Sequence, residues 1–116
     1  MDPFTHLHCE IVGELAHVTF PGGKFDGVAV RELFELSNQL PEVRPKLLVD
    51  TTGVEFVPSG GMGMLIMIRK RFMSAGGQLH IAIPNANIMQ SFTLANMGRM
   101  LELFETVEDA RDRFKP

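Results

Sequence analysis

The sequence has no Trp, no Tyr and a single cysteine, Cys9, among its 116 residues. One cysteine excludes an internal disulfide and favours a reducing compartment. The apolar stretches fall far short of the roughly 20 residues that a membrane-spanning helix needs. No basic segment followed by an apolar one opens the chain, so no signal peptide is predicted. These absences predict a cytoplasmic protein without membrane insertion.

Strong charge of one sign is also missing. The net charge is −3, which gives no field that would draw the chain to nucleic acid. His6 and His8 are predicted on one face of an edge strand with Cys9 on the other, and two ligands do not make a metal site. We therefore predict no nucleic-acid partner, no metal site and no cofactor.

What the sequence does contain is the composition of one globular domain, with 45% apolar and 22% charged residues. A chain of this length can bury one core without disulfide or metal. Residues 1–5, MDPFT, look like a cloning remnant. The single domain is therefore predicted to span residues 6–116. The eight methionines suit core gaps and adaptable binding surfaces alike.

Hydrophobic periodicity predicts alternating strands and helices after an opening β-hairpin. The predicted strands lie at 6–12, 14–20, 46–50, 78–83 and 101–104. The predicted helices lie at 26–40 (stopped by Pro41), 59–75, 87–97 (closed by Gly98) and 107–114. The order ββαβαβαβα predicts an α/β fold, in which a mostly parallel mixed sheet with an antiparallel edge packs with about four helices.

The segment PSGGMG around Ser59 raises the question of function, and the motifs of enzymes fail there. A hydrolase elbow needs glycine two residues before the serine, where Val57 stands. A P-loop needs Lys and then Ser or Thr after its last glycine, but Met62 and Met64 follow the glycines. No histidine is tied to Ser59 as a base. The sequence therefore predicts a protein that is not an enzyme.

Ser59 is instead predicted to cap the second helix, since serine is a preferred N-cap. A helical wheel gives this helix a core face of Gly61, Leu65, Ile68 and Phe72. The opposite face carries Gly60, Gly63, Met64, Met67 and Arg71. That face is either a partner-binding surface or is covered by a second layer of the same fold. The helix start also favours an anion, so a phosphate on Ser59 would suit the position.

From these residues the chain resembles the STAS domain family, and specifically the bacterial anti-sigma factor antagonists. The matching segments are GKFD at 23–26, LLVD at 47–50, GVEFV at 53–57, Ser59, GMG at 61–63, GG at 76–77 and ANMG at 95–98. The resemblance implies that Ser59 is the serine phosphorylated by an ATP-dependent anti-sigma kinase. It implies that the unphosphorylated form binds the anti-sigma factor and thereby frees the sigma factor.

The chain departs from the family at two positions. Pro58 replaces the usual Asp before the serine, and Gly60 replaces the usual Ser or Thr after it. An alternative function is therefore kept: a scaffold or accessory subunit, in a stress-signalling complex or a lipid transporter, that is never phosphorylated. A homodimer is left open. The predicted partner-binding residues are Lys24, Asp26, Pro58, Ser59, Gly60, Gly63, Met64, Met67 and Arg71.

Overall fold

The computed structural model describes residues 4–40 and 45–116, and it confirms the predicted α/β fold. One five-stranded sheet has the order β1-β2-β3-β4-β5. β1 and β2 pair antiparallel, and every later pair is parallel. The strands are β1 His8–Val12, β2 Leu15–Thr19, β3 Lys46–Asp50, β4 Gln78–Ala82 and β5 Glu102–Phe104. The helices are α1 Gly27–Ser37, α2 Ser59–Ser74, α3 Ala86–Leu94 and α4 Val107–Asp112, with a 3-10 turn at Met97–Arg99. The predicted stop at Pro41 lies outside the described residues.

The two faces of the sheet are covered unequally. Side chains alternate between faces along a strand, so Leu47 and Val49 enter a large core with α1, α2 and α3. Leu48 points the other way, into a small cluster with Ala82 and with Ala110 of α4. Three helices therefore cover one face, while the six-residue α4 covers part of the other.

Two local predictions are wrong. β1 begins at His8, so His6 does not share a strand face with it; the His6 N–H donates instead to the buried Glu32 carboxylate at 2.8 Å. Gly98 does not close α3, which ends at Leu94. Asn96 takes the left-handed conformation at φ 62°, because asparagine tolerates that region better than other non-glycine residues, and Gly98 lies in the 3-10 turn.

The N-terminal segment is held against α1 by Glu32. Its carboxylate accepts hydrogen bonds from the N–H groups of Thr5 and His6 and from the Thr5 hydroxyl. Burial alone would raise the pKa of Glu32, but these hydrogen bonds outweigh it and leave the pKa lowered. Phe4 packs against the core beside them. The assignment of residues 1–5 to a cloning remnant stays a prediction, and residues 1–3 lie outside the described residues.

Helix α2 has the predicted core face. Leu65, Ile68 and Phe72 are fully buried, and a Cβ added at Gly61 would lie 2.7 Å from Cε1 of Phe25. The Phe25 ring is itself fixed, since it is 2% exposed and meets Phe20 edge-to-face at 5.0 Å. At the other end, Gly76 at φ 80° ends the helix in a Schellman motif, in which its N–H donates to Met73 O and the Gly77 N–H to Phe72 O.

The glycines of α2 give a matched pair of substitutions. Gly61→Ala is expected to lower the free energy of unfolding by about 1–3 kcal/mol, because the methyl group overpacks against Phe25. Gly63→Ala meets nothing within 4 Å and is expected to raise it by about 0.5–1 kcal/mol, since alanine favours helix. Urea unfolding measures both, and equal effects of the two changes would contradict this packing.

His80 fastens α4 to the second face of the sheet. Its Nδ1 donates to Ala110 O at 2.7 Å, and its ring stacks on Phe114 with centroids 3.8 Å apart. Burial, the largest influence, lowers the pKa of His80 below its ordinary value of 6.5. The folded state therefore holds His80 neutral more strongly than the unfolded chain does.

Stability is accordingly expected to depend on pH through His80. A lowered folded pKa gives stability that is fully present above pH 6.5 and is lost as the pH falls through the folded value. His80→Phe is expected to reduce the loss of unfolding free energy as the pH falls below 6.5, by up to about 1.4 kcal/mol per pH unit. The other three histidines are unchanged in the variant, so the difference in slope isolates His80. Identical slopes would refute the assignment.

Candidate partner-binding surface

Ser59 is the first residue of α2 and does not cap it, so that prediction is wrong. The cap position is held by Pro58, with φ −68° and ψ 157° and no side-chain hydrogen bond. Proline fits there because its fixed φ suits the extended residue before a helix. The carbonyl of Pro58 accepts from the N–H groups of Gly61 and Met62 at 2.9 and 3.1 Å. The exposed Ser59 thus keeps a hydroxyl that bonds to no described residue.

The start of α2 retains the unsatisfied donors of a helix N-terminus. Among the described residues, no acceptor serves the N–H groups of Ser59 and Gly60. The first turn carries no acidic side chain. No side chain of the first turn therefore offsets the positive end of the helix dipole at Ser59.

A cleft of about 450 Å³ opens beside this helix start. It brings together three predicted partner-binding residues: Lys24 and Asp26 from the loop before α1, and Pro58 from the loop before α2. Phe56 lies in the same cleft and is 72% exposed, and Glu55 lies next to it. The sequence interpretation did not include Phe56 and Glu55, which also line this cleft. The sequence did contain a signal for Phe56, because a large apolar side chain is unusual in a loop such as the one between β3 and α2.

Asp26 is held in place by its own backbone surroundings. Its carboxylate accepts from the Ala29 N–H at 3.0 Å and caps α1. This hydrogen bond is the main cause of the lowered pKa of Asp26. His6 lies at 4.0 Å from the same carboxylate. The rim of the cleft thus presents a fixed anion at Asp26 and an exposed cation at Lys24.

The outer face of α2 is open in part. Gly60, Gly63 and Met67 are exposed, so no other described layer of the fold lies over them. Met64 is half-buried and packs against the core. Arg71 is turned toward α1, where its guanidinium lies 4.5 Å above the Phe34 ring and donates to Asn38. The exposed part of this face therefore begins next to Ser59 and extends to Met67. It ends before Arg71, whose side chain packs on α1.

Two negative findings apply to the described residues. No three or more of their His, Cys, Asp and Glu side chains are grouped so that they could hold a metal ion. None of the helices in residues 4–40 and 45–116 is long and apolar enough to cross a membrane.

Comparison with known proteins decides the family. The model of the STAS domain matches residues 10–110. The chain belongs to the STAS domain family. This confirms the resemblance deduced from the sequence.

Relatives of this STAS domain are named as anti-sigma factor antagonists. One, from Thermotoga maritima, is 24% identical over 70 residues, which cover 60% of this chain and 62% of that protein. The match thus spans less than two thirds of the curated relative.

Solved structures show the same fold. The crystal structure of an anti-sigma factor antagonist from Mycobacterium paratuberculosis has a TM-score of 0.79 at 18% identity, covering 95% of this chain and 93% of that one. The phosphorylated form of SpoIIAA, a cell fate determinant of Bacillus, has a TM-score of 0.66 at 16% identity, covering 92% and 97%.

The cap geometry predicts a contrast between two hydroxyl residues. Thr106 caps α4 by accepting from the Asp109 N–H at 3.0 Å, so Thr106→Ala is expected to cost about 1 kcal/mol of stability. Ser59→Ala removes no hydrogen bond within the described chain and is expected to change stability by less than about 0.5 kcal/mol. Thermal and urea unfolding of both variants test this. If Ser59→Ala lowered the free energy of unfolding as much as Thr106→Ala does, Ser59 would be the cap of α2 after all.

Proposed function

We propose that this STAS domain is a non-catalytic anti-sigma factor antagonist that binds an anti-sigma factor of the serine-kinase type. The binding surface comprises the cleft at Lys24, Asp26, Phe56 and Pro58 together with the open part of α2. The observation that carries the proposal is the Ser59 hydroxyl, exposed and without a partner in the described chain. The family membership and the names of its relatives support the class of partner.

Phosphorylation of Ser59 is proposed as the switch. The kinase would transfer the γ-phosphoryl group of ATP to the Ser59 oxygen, releasing ADP and the hydroxyl proton, and the new phosphate adds about −1.5 to −2 charges. The N–H groups of Ser59 and Gly60 have no acceptors in residues 4–40 and 45–116, so the helix start tolerates that charge. The neighbouring Gly60, Gly63 and Met67 offer no cation to balance it. A partner packed on them would have to bury the phosphate beside apolar groups, which is unfavourable.

A second candidate is supported by the residues that flank the serine. Pro58 and Gly60 stand where the family resemblance gives an acid and a hydroxyl residue, and α2 has no acidic side chain in its first turn. A kinase that reads those groups would not recognise this segment. The second candidate is therefore a scaffold subunit that uses the same surface constitutively. For both candidates we propose a single domain at residues 6–116 and a cytoplasmic location.

The switch is tested with ATP and the anti-sigma kinase encoded in the same genome. A phosphoryl group is expected on Ser59 by mass spectrometry, and none on Ser59→Ala. In binding measurements Ser59→Ala should keep its affinity, and Ser59→Asp should lose about tenfold or more, because an uncompensated charge enters the contact. Ser74→Asp, at the exposed far end of α2, is the matched control and should bind normally.

Other outcomes separate the candidates. Tight partner binding by the unmodified chain, with no phosphorylation of Ser59 by the kinase, would select the scaffold. Gly63→Ala probes the surface without charge: its fold is expected to be stabilised, yet a methyl group at an intimate contact should weaken partner binding. Normal binding by Gly63→Ala and Ser59→Asp together would place the interface elsewhere.

A further inference from the structure

A second cleft, of about 400 Å³, lies at the other end of α2. It forms where β5 stops short: β5 pairs with β4 only from His80 onward. Gln78 and Leu79 pair with β3 but have no β5 neighbour. Arg69 and Met73 of α2 also line this cleft, and the 16-residue helix separates their end from Ser59 by roughly 15–20 Å.

Hydrogen bonds hold both walls of the second cleft in place. Arg69 donates to Met100 O at 2.8 Å and to the Glu102 carboxylate at 3.3 Å. Across from it, the Gln78 amide bonds twice to the backbone of Lys115, accepting from its N–H and donating to its carbonyl, both at 2.9 Å. The segment after α4 is thus fixed along the start of β4, and Arg113 and Lys115 line the cleft.

The lining of the second cleft is positively charged, although the whole chain is negatively charged. Arg69, Arg113 and Lys115 face one carboxylate, Glu102, which pairs with Arg69. Arg113 and Lys115 form no ion pair with any described residue. The chain as a whole carries −3. Two cations therefore remain available in a site with fixed walls.

His80 adds a buried acceptor to the lining. The residue is 5% exposed, and its Nδ1 carries a proton, because that atom donates to a carbonyl. In the neutral ring Nε2 is then an acceptor. Among the described residues, no donor reaches Nε2. A buried acceptor without a donor is uncommon in folded proteins, and a ligand with an O–H group would satisfy it.

We propose that this second cleft binds a small phosphomonoester. Its phosphate oxygens accept from Arg113 and Lys115, whose two charges match those of a phosphomonoester near pH 7. A hydroxyl elsewhere on the ligand donates to Nε2 of His80. Phenyl phosphate has no such hydroxyl and therefore tests the phosphate contacts alone. Met73, Leu79 and Phe104 provide the apolar wall that binding sites for small molecules need. A monocarboxylate has the same oxygen acceptors but half the charge.

The test is an NMR titration of the full chain with phenyl phosphate, and with benzoate as a probe that shares the ring. Phenyl phosphate is expected to give saturable shifts confined to the amides around Gln78, His80, Glu102 and Lys115. Benzoate should bind about tenfold more weakly. The double variant Arg113→Gln, Lys115→Gln should lose about tenfold or more in affinity, since charged hydrogen bonds are removed.

The control removes the same number of charges outside the cleft. Arg99→Gln, Arg111→Gln alters exposed residues that do not line it, and it should bind phenyl phosphate normally. Scattered or unsaturable shifts, equal binding of benzoate, or full affinity in the Arg113, Lys115 variant would each overturn the proposal. Should that variant misfold, Lys115→Gln alone, which keeps the backbone bonds to Gln78, replaces it and must still weaken binding.

Discussion

The surface around Ser59 depends on two close approaches at glycines. A Cβ at Gly23 would lie 2.9 Å from the carbonyl oxygen of Gly53, and one at Gly61 would lie 2.7 Å from the Phe25 ring. The first joins the loop before α1 to the loop before α2, and the second seats α2 itself on the first loop. Lys24, Asp26 and Pro58 line one cleft because no side chain at Gly23 or Gly61 holds these loops apart. A partner that contacts both loops would therefore meet one continuous surface.

The same packing means that a charge added at Ser59, as proposed, would leave the fold of α2 unchanged. Its inner face is sealed by Leu65, Ile68 and Phe72, which fix the helix whatever happens outside. Its outer face near Ser59 takes no part in the core. Because Ser59 is not a cap, neither its hydroxyl nor a group attached to it is needed to stop or start the helix. A change there alters what a partner meets while the fold stays as it is.

The sequence predicted the elements well, because each strand is a short apolar run between turn residues and each helix has its own periodicity. It failed where two residue types compete for one role. Serine and proline both suit the start of α2, and only the backbone shows that Pro58 takes the cap position. Asn96 and Gly98 compete in the same way after α3. The two clefts could not be predicted from the sequence, because their lining residues are far apart along the chain. Only the tertiary fold places Phe56 in the same cleft as Lys24, and His80 in the same cleft as Lys115.

The two ends of α2 differ in how they can bind an anion. The difference arises because the far end has two cationic side chains without carboxylate partners among the described residues. At Ser59 a phosphate would find backbone N–H groups and, along the cleft, Lys24 with Asp26 and Glu55. Two acids beside one lysine oppose the attraction of the helix start for a free phosphate, whereas a covalent bond would keep a phosphoryl group on Ser59. At the far end Arg113 and Lys115 have no carboxylate partners among the described residues, and a free phosphomonoester can be held without a covalent bond. The first end suits a modification made by an enzyme, and the second suits a ligand that binds reversibly.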